Sequence, residues 1–391
     1  MTKSFKTFLK HTAKDYHNQS VNPPVVRAST IIFKSMQDIR KMQDKSKKDP
    51  TGGHFDYGRQ GTSTTHVLSQ ILKEMEECYH VFLTPTGFGS VFLSIFSVVR
   101  PGDEIIVADP TYSPTRILTQ DFLKEFNIKS VFYDPHDLKT LEKAITKKTK
   151  LIFVENPGSN TFDFQDLGKI VSIAKKNKIF SVIDNTWGTP YFLKPIKLGF
   201  DMSIVSATKY YSGHSDVMGG SLAVNKKVFK QVDKANKITG LRLGPDDAYL
   251  ITRGLRTLDV RLDKHEKSAK QVAEFLSNYK NIKLLYPHKK DSFNFRMWKK
   301  YYSGASGLMG IKIKAKSEKS VIKFVNNLKL FGHGYSWGGF ESLALHQNLR
   351  EQGNRSYLKL AKNEHLVRLH VGLEDPEDLI ADIKQSMKHI K

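Results

Sequence analysis

The chain has 391 residues, 39% of them hydrophobic and 26% charged, long enough for two domains and a substantial core. Its single cysteine, Cys78, excludes an internal disulfide framework and fits a reducing compartment, and no apolar run is long enough to span a bilayer. The net charge of +23 raises nucleic acid or acidic membranes as partners, yet the lysines are scattered in small groups such as Lys147–Lys148 and Lys175–Lys176, with no basic helix carrying base-reading residues, so a lysine-rich solvated surface is the reading.

The amino-terminal stretch MTKSFKTFLKHTAKD lacks the uninterrupted apolar segment of a signal peptide, and a cytoplasmic protein is expected. Residues 1–60 show little sustained periodicity and contain Asn22-Pro23-Pro24 and Gly52-Gly53. They read as an extended arm, useful only if it packs on something else, ending in Tyr57-Gly58-Arg59-Gln60-Gly61. A helix follows, with apolar positions Val67, Leu68, Ile71, Leu72 and Met75; Cys78 at its end is a packing residue rather than a nucleophile. A short strand, Val81 to Leu83, then leads through Thr84-Pro85-Thr86-Gly87-Phe88-Gly89-Ser90 into an apolar helix from Val91 to Val99. Strand, glycine loop and helix start present backbone amides and a positive dipole end to phosphate, but the spacing is not that of a nucleotide P-loop.

Strands and helices then alternate. Strands are predicted over Glu104 to Ala108, Val131 to Tyr133, Leu151 to Val154 and Ile179 to Ile183, with helices after Pro114 and over Leu138 to Ile145 and Leu167 to Lys176. This rhythm implies a mostly parallel sheet covered by helices on both faces. Pro110-Thr111-Tyr112 sets an aromatic ring at a strand's C-terminal end, where it could stack on a planar cofactor or serve as a core or interface tyrosine.

The run Ile179 to Ile183 ends in Asp184, and a second apolar run, Met202 to Val205, ends in Ser206-Ala207-Thr208-Lys209. Both read as buried strands delivering polar groups at the sheet edge where ligand chemistry gathers. Asp184 alone could be a cap or turn residue, and Lys209 alone a solvated lysine. Together they suit pyridoxal phosphate: the lysine amine forms a Schiff base with the aldehyde, the carboxylate pairs with the protonated pyridine nitrogen, and Ser206 and Thr208 supply hydroxyls for the phosphate.

A long helical stretch near Leu255 to Leu276 carries the chain out of the sheet domain, and residues 256–391 read as a smaller α+β domain after a sheet domain over 61–255. In it, Tyr335-Ser336-Trp337-Gly338-Gly339 is a small-residue turn holding an aromatic, and Leu366 to Gly372 puts Arg368 inside an alternating strand, on one face with Leu366 and His370. An arginine there needs a carboxylate or phosphate partner, and its planar fork fits a substrate carboxylate or a structural ion pair.

The segments YGRQG, TPTGFGS, DPTYSPT, IDNTW, SATKYYSGHSD, YSWGG and RLHVGLED, in this order, closely resemble the cystathionine β-lyases, a branch of the pyridoxal-phosphate enzymes of Cys/Met metabolism. The resemblance runs from about residue 20 to the C-terminus and implies the fold type I architecture: a mostly parallel central sheet domain plus a smaller α+β C-terminal domain. It implies that Lys209 carries the cofactor, Asp184 pairs with its ring nitrogen and Tyr112 stacks on the ring. The amides of Gly87 and Phe88, with Ser206 and Thr208, would hold the phosphate, and Tyr57 and Arg59 would reach the phosphate of a neighbouring subunit, making a homo-oligomer, typically a dimer of dimers, necessary for activity. Arg368 would grip the substrate α-carboxylate, assisted by Ser336 and Trp337, and Lys209 or Tyr112 would move the protons of β-elimination. Tyr335 stands where β-lyases of this type carry tyrosine and γ-type relatives an acidic residue, and Ser159 stands where many γ-type relatives have asparagine.

Gln60 and Ile117 depart from the best-known bacterial pattern, which has a second arginine and an acidic residue there; Arg116 is expected to take over contact with the distal carboxylate of the substrate. The implied reaction is cleavage of L-cystathionine to homocysteine, pyruvate and ammonia. A γ-synthase, a γ-lyase or a broader cysteine-conjugate lyase on the same scaffold is the alternative, and a basic nucleic-acid-binding protein on an inactive scaffold the remote one.

Overall fold

Seven short runs assemble into one sheet, and all but the edge strand Lys129–Tyr133 are largely buried on both faces. They are β1 (His80–Thr84), β2 (Glu104–Ala108), β3 (Lys129–Tyr133), β4 (Thr149–Glu155), β5 (Phe180–Asp184), β6 (Met202–Val205) and β7 (Gly220–Val224). The computed structural model describes residues 4–13, 19–287, 290, 292–349, 355–357 and 360–390. In space the strands run β1-β7-β6-β5-β4-β2-β3. The pairs from β6 through β3 are parallel, and β7 pairs antiparallel with both β6 and β1.

Alternate residues of each strand enter different cores. Ile105, Val107 and Phe153 pack with Val91 and Leu93 of the helix Gly87–Val98 and with Phe229 and Val232 of the helix Phe229–Thr239. Ile106, Ile152 and Val154 pack on the other face with Leu68 and Leu72, Ile170 and Leu262. These belong to the helices Ser63–Glu76, Leu167–Lys176 and Leu258–Ser277. Both faces are covered, as the strand–helix rhythm predicts.

After the helix Leu258–Ser277 the chain forms a second, antiparallel sheet of β8 (Ile282–Leu285), β9 (Leu308–Lys314), β10 (Leu343–Gln347) and β11 (Glu364–His370), in the order β10-β11-β9-β8. Arg368 lies within β11, opposite Leu345 on one side and Gly310 on the other.

Three elements differ from the sequence reading. The glycine loop is not a loop: Gly87 already begins the helix, because Thr86 caps it by accepting from the Gly89 amide at 2.9 Å. β7 was not anticipated; its run Gly220 to Val224 is short and glycine-led, and its antiparallel pairing breaks the strand–helix alternation. The arm contains a helix, Met36–Lys48, whose narrow stripe of Met36, Ile39 and Met42 was not recognised and is not buried within the chain. Among the described residues, no helix is long and apolar enough to cross a membrane.

Candidate active site

The site is built at the C-terminal ends of the parallel strands, where β4, β5 and β6 stop side by side. Asp184 ends β5. Its Oδ1 accepts from the Thr186 amide at 2.9 Å and the Thr186 hydroxyl at 2.5 Å. Removal from water nevertheless raises its pKa, against the Thr186 bonds and the pull of Lys209. Lys209 lies in the turn after β6. Its amine donates to Ser336 Oγ at 2.6 Å and sits 5.4 Å from the centre of the Trp337 ring. Burial first, then the nearby Arg368 cation, bring its pKa down to about 8, with Asp184 pulling the other way.

Arg368 Nη2 donates to the Ser336 carbonyl at 3.0 Å. Burial lowers its pKa to about 10, which leaves it a cation at neutral pH. Tyr112 is 47% exposed at the mouth of the cleft. Its hydroxyl pKa is raised by desolvation, Glu155 and Asp184, with Arg368 opposing, so these four groups share one field. The turn that joins them is under strain: Ser336 has φ 83°, a conformation costing about 1–3 kcal/mol for a residue with a side chain. Gly338 (φ 88°) follows, and a Cβ there would come within 3.1 Å of Lys209 Cα and 2.9 Å of the Tyr210 amide. Only glycine lets the turn lie directly on the lysine's backbone.

The phosphate cradle is equally tight. A Cβ on Gly87 would meet Ser206 Cβ and Oγ at 2.5 Å, so the first amides of the helix Gly87–Val98 and the Ser206 hydroxyl face one narrow space. Thr208 Oγ1 accepts from the Gly219 amide at 3.0 Å and lies 3.2 Å from the Gly219 carbonyl, so contact with a phosphate requires it to rotate away from that bond. Phe88, 39% exposed, contributes its backbone at the same helix start. Tyr335 is 87% exposed at the rim. The Ser159 amide donates to the Pro110 carbonyl at 2.6 Å, which brings the loop after β4 against the segment carrying Tyr112.

One expectation is not met. Arg116 is buried, 2% exposed; its guanidinium donates to the Asp109 carbonyl at 2.9 Å and Asp109 Oδ1 at 3.2 Å and stacks 3.8 Å from the Phe132 ring centre. It is therefore not a contact for a substrate carboxylate. Asp109 draws it inward, together with Arg355, whose Nη1 donates to the Asp109 carbonyl at 3.2 Å. Tyr57 and Arg59, which the resemblance assigns to a neighbouring subunit's site, lie elsewhere in their own chain. Arg59 donates to the Lys237 carbonyl at 3.0 Å, beside the helix Phe229–Thr239, and Tyr57 is 47% exposed.

One residue of the site was overlooked. Glu155 ends β4 in register with Asp184. Its Oε2 accepts from the Tyr112 amide at 2.6 Å and lies 3.4 Å from the Thr111 hydroxyl. Desolvation and then Asp184 raise its pKa well above the carboxylate range. The signal was present: like Asp184, it is the carboxylate that closes an apolar run.

A depressed lysine, a carboxylate removed from water that calls for a cation, a helix start meeting a serine hydroxyl and a desolvated arginine fit pyridoxal phosphate and an α-amino acid. Among the described residues, no cluster of histidine, cysteine and carboxylate side chains could hold a metal ion. The family model for Cys/Met metabolism PLP-dependent enzymes matches residues 6–388. The chain belongs to this pyridoxal-phosphate-dependent family, with the fold type I architecture. It is 35% identical to the cystathionine beta-lyase of Bordetella avium over 98% of each chain, and 33% identical to an L-alanine/L-glutamate racemase of Wolbachia pipientis over 95% of this chain and 93% of that one. Among solved structures it is similar to the cystathionine gamma synthase of Xanthomonas oryzae pv. oryzae, with a TM-score of 0.89 at 27% identity, covering 100% of this chain and 99% of that one.

Proposed function

We propose that the protein is a cytoplasmic carbon–sulfur β-lyase that cleaves L-cystathionine, or a closely related thioether amino acid, to a thiol, pyruvate and ammonia. The observation that carries this reading is the convergence of Lys209, Asp184 and Arg368 on one cleft, with Lys209 and Arg368 meeting at the Ser336 turn.

Bound pyridoxal phosphate supplies the sink for the electron pair left at Cα. The chain does the rest. With the cofactor bound, Asp184 would keep the proton on its ring nitrogen, Tyr112 would cover the ring, and Gly87, Phe88, Ser206 and Thr208 would hold its phosphate. Arg368 orients the substrate through its α-carboxylate, as its planar fork allows. The Lys209 amine, with its pKa near 8, takes the Cα proton. Lys209 or Tyr112 then returns a proton to the departing sulfur, and the released three-carbon enamine hydrolyses to pyruvate and ammonia. Tyr57 and Arg59 complete the phosphate site of a second copy of the chain, so the active form is a homo-oligomer. Their exposure and their distance from the cleft of their own chain support this.

Product analysis of the purified, cofactor-loaded protein on cystathionine, cystine and djenkolate-type thioethers tests the reading. Pyruvate supports it. 2-Oxobutyrate would assign γ-elimination, and cystathionine formed from an activated homoserine a γ-synthase, the activity named for the similar Xanthomonas structure.

A further inference from the structure

The turn that brings Tyr112 to the cleft is gripped from more than one side. Asp109, Pro110 and Thr111 lead from the end of β2 to Tyr112. The Ser159 amide donates to the Pro110 carbonyl, and Glu155 accepts from the Tyr112 amide. Both of these partners come from β4 or the loop after it. Arg355 comes from elsewhere in the chain, from the connection between β10 and β11, and the mechanism above gives it no part. It is buried, and it donates from Nη1 to the Asp109 carbonyl at 3.2 Å and from Nη2 to the Thr111 carbonyl at 3.5 Å. One planar fork thus bridges the carbonyls on either side of Pro110.

The grip is returned from the other side. The Asp109 carboxylate accepts from the Ser356 amide at 3.0 Å through Oδ1 and from the Tyr357 amide at 3.2 Å through Oδ2. Arg116, turned inward, holds Asp109 from behind. Asp109 and Arg355 are both out of water, so removing one side strands polar groups on the other. Burial and then the Arg116 cation disfavour the charge on Arg355, while Asp109, Glu155 and Asp163 favour it. A lysine in its place would keep that charge and lose the fork. The contact also spans the two sheets. Tyr112 follows a strand of the first, and Arg368 lies in a strand of the second, so their relative placement depends on contacts that join the two.

We propose that Arg355 is a positioning residue: its fork, backed by the Asp109 bonds to the next two amides, ties the turn before Tyr112 to the connection that runs into β11, and so sets the Tyr112 ring in the cleft. The catalytic side of this inference rests on the reading that Tyr112 covers a bound cofactor; the grip on the turn does not.

The test has two arms on the full-length protein. Amide hydrogen exchange of the cofactor-free chain, read by mass spectrometry, reports on the turn. Arg355→Ala is expected to raise exchange over residues 109–117 by roughly tenfold or more, with β9 (Leu308–Lys314) unchanged within about twofold. Arg355→Lys is expected to raise it in the same residues by a smaller factor. No change over 109–117 with Arg355→Ala, or an equal rise in β9, overturns the proposal. If Arg355→Ala does not fold, Arg355→Lys decides by the same measure. In the second arm, a double-mutant cycle asks whether Arg355 acts through Tyr112. Arg355→Ala is expected to weaken pyridoxal phosphate binding and to lower kcat/KM, each roughly tenfold, in the parent chain, yet by no more than about twofold in a chain that already carries Tyr112→Ala. Equal costs in the two backgrounds overturn the positioning role. If the parent proves to have no lyase activity, the exchange and the binding cycle still decide, so the two readings fail separately.

Discussion

The Lys209 amine feels an opposing pair of charges: Arg368 disfavours its proton and Asp184 favours it, while burial outweighs both. Because the folded pKa lies below the ordinary lysine value of 10.5, folding releases a proton between about 8 and that value. The cost of a buried ammonium is thus fully present below pH 8 and disappears as pH rises toward 10.5. Acylation of Lys209 in the cofactor-free chain is expected to reach half its maximal rate near pH 8. Removing the cation with Arg368→Leu should move that midpoint up, and removing the anion with Asp184→Asn should move it down; peptide mapping across pH checks both. Arg368→Lys keeps the charge but loses the planar fork, and should raise KM roughly ten- to a hundred-fold with a smaller change in kcat. At this scale the sequence was partly legible. Asp184 and Lys209 could be picked out because each closes an apolar run. Arg116 was misjudged because nothing local says that Asp109, seven residues earlier, will pull its guanidinium into the core.

Strand ends decide more than single side chains do. β4 and β5 stop in register, which sets Glu155 beside Asp184 and lets it hold the segment carrying Tyr112. Since its surroundings push Glu155 toward the protonated, neutral form, the neutral isostere should serve nearly as well. Glu155→Gln is expected to keep kcat/KM within about threefold, whereas Glu155→Ala, which strands the Tyr112 amide, should cost roughly tenfold. Steady-state kinetics on both variants check this. The helix Gly87–Val98 starts against Ser206, with no room for a Cβ on Gly87. Gly87→Ala is therefore expected to push the helix start away from Ser206, to lower the thermal unfolding midpoint of the cofactor-free chain, and to bind pyridoxal phosphate at least roughly tenfold more weakly in an absorbance titration. The glycine-led loop was visible in the sequence as a phosphate-binding candidate. Its partner, Ser206, could not be paired with it, because that contact joins β6 to β1 through β7, a strand with no clear signature of its own.

At the scale of the whole molecule, Tyr57 and Arg59 lie on an arm that has no business with its own cleft, and the proposed shared site makes a sharp expectation. Lys209→Ala and Arg59→Ala are each expected to be strongly impaired. Mixed dimers of the two variants should regain activity, because one of their two sites then combines an intact Lys209 with an intact Arg59. Without shared sites, mixing leaves activity at the average of the two parents. The net charge of +23 spreads over the surface, and it supports salt-sensitive, nonspecific attraction of polyanions rather than a particular partner.

By itself the sequence determined the parallel sheet, the strand ends that carry Asp184 and Lys209, and an arginine in a C-terminal strand, since period, run length and terminal residue type are local properties of the chain. Tertiary structure alone decided that Ser336 meets both Lys209 and Arg368, that Glu155 stands beside Asp184, and that Arg116 turns inward. These are contacts between residues distant along the chain. Their existence depends on register, burial and competition among buried polar groups, none of which local pattern encodes.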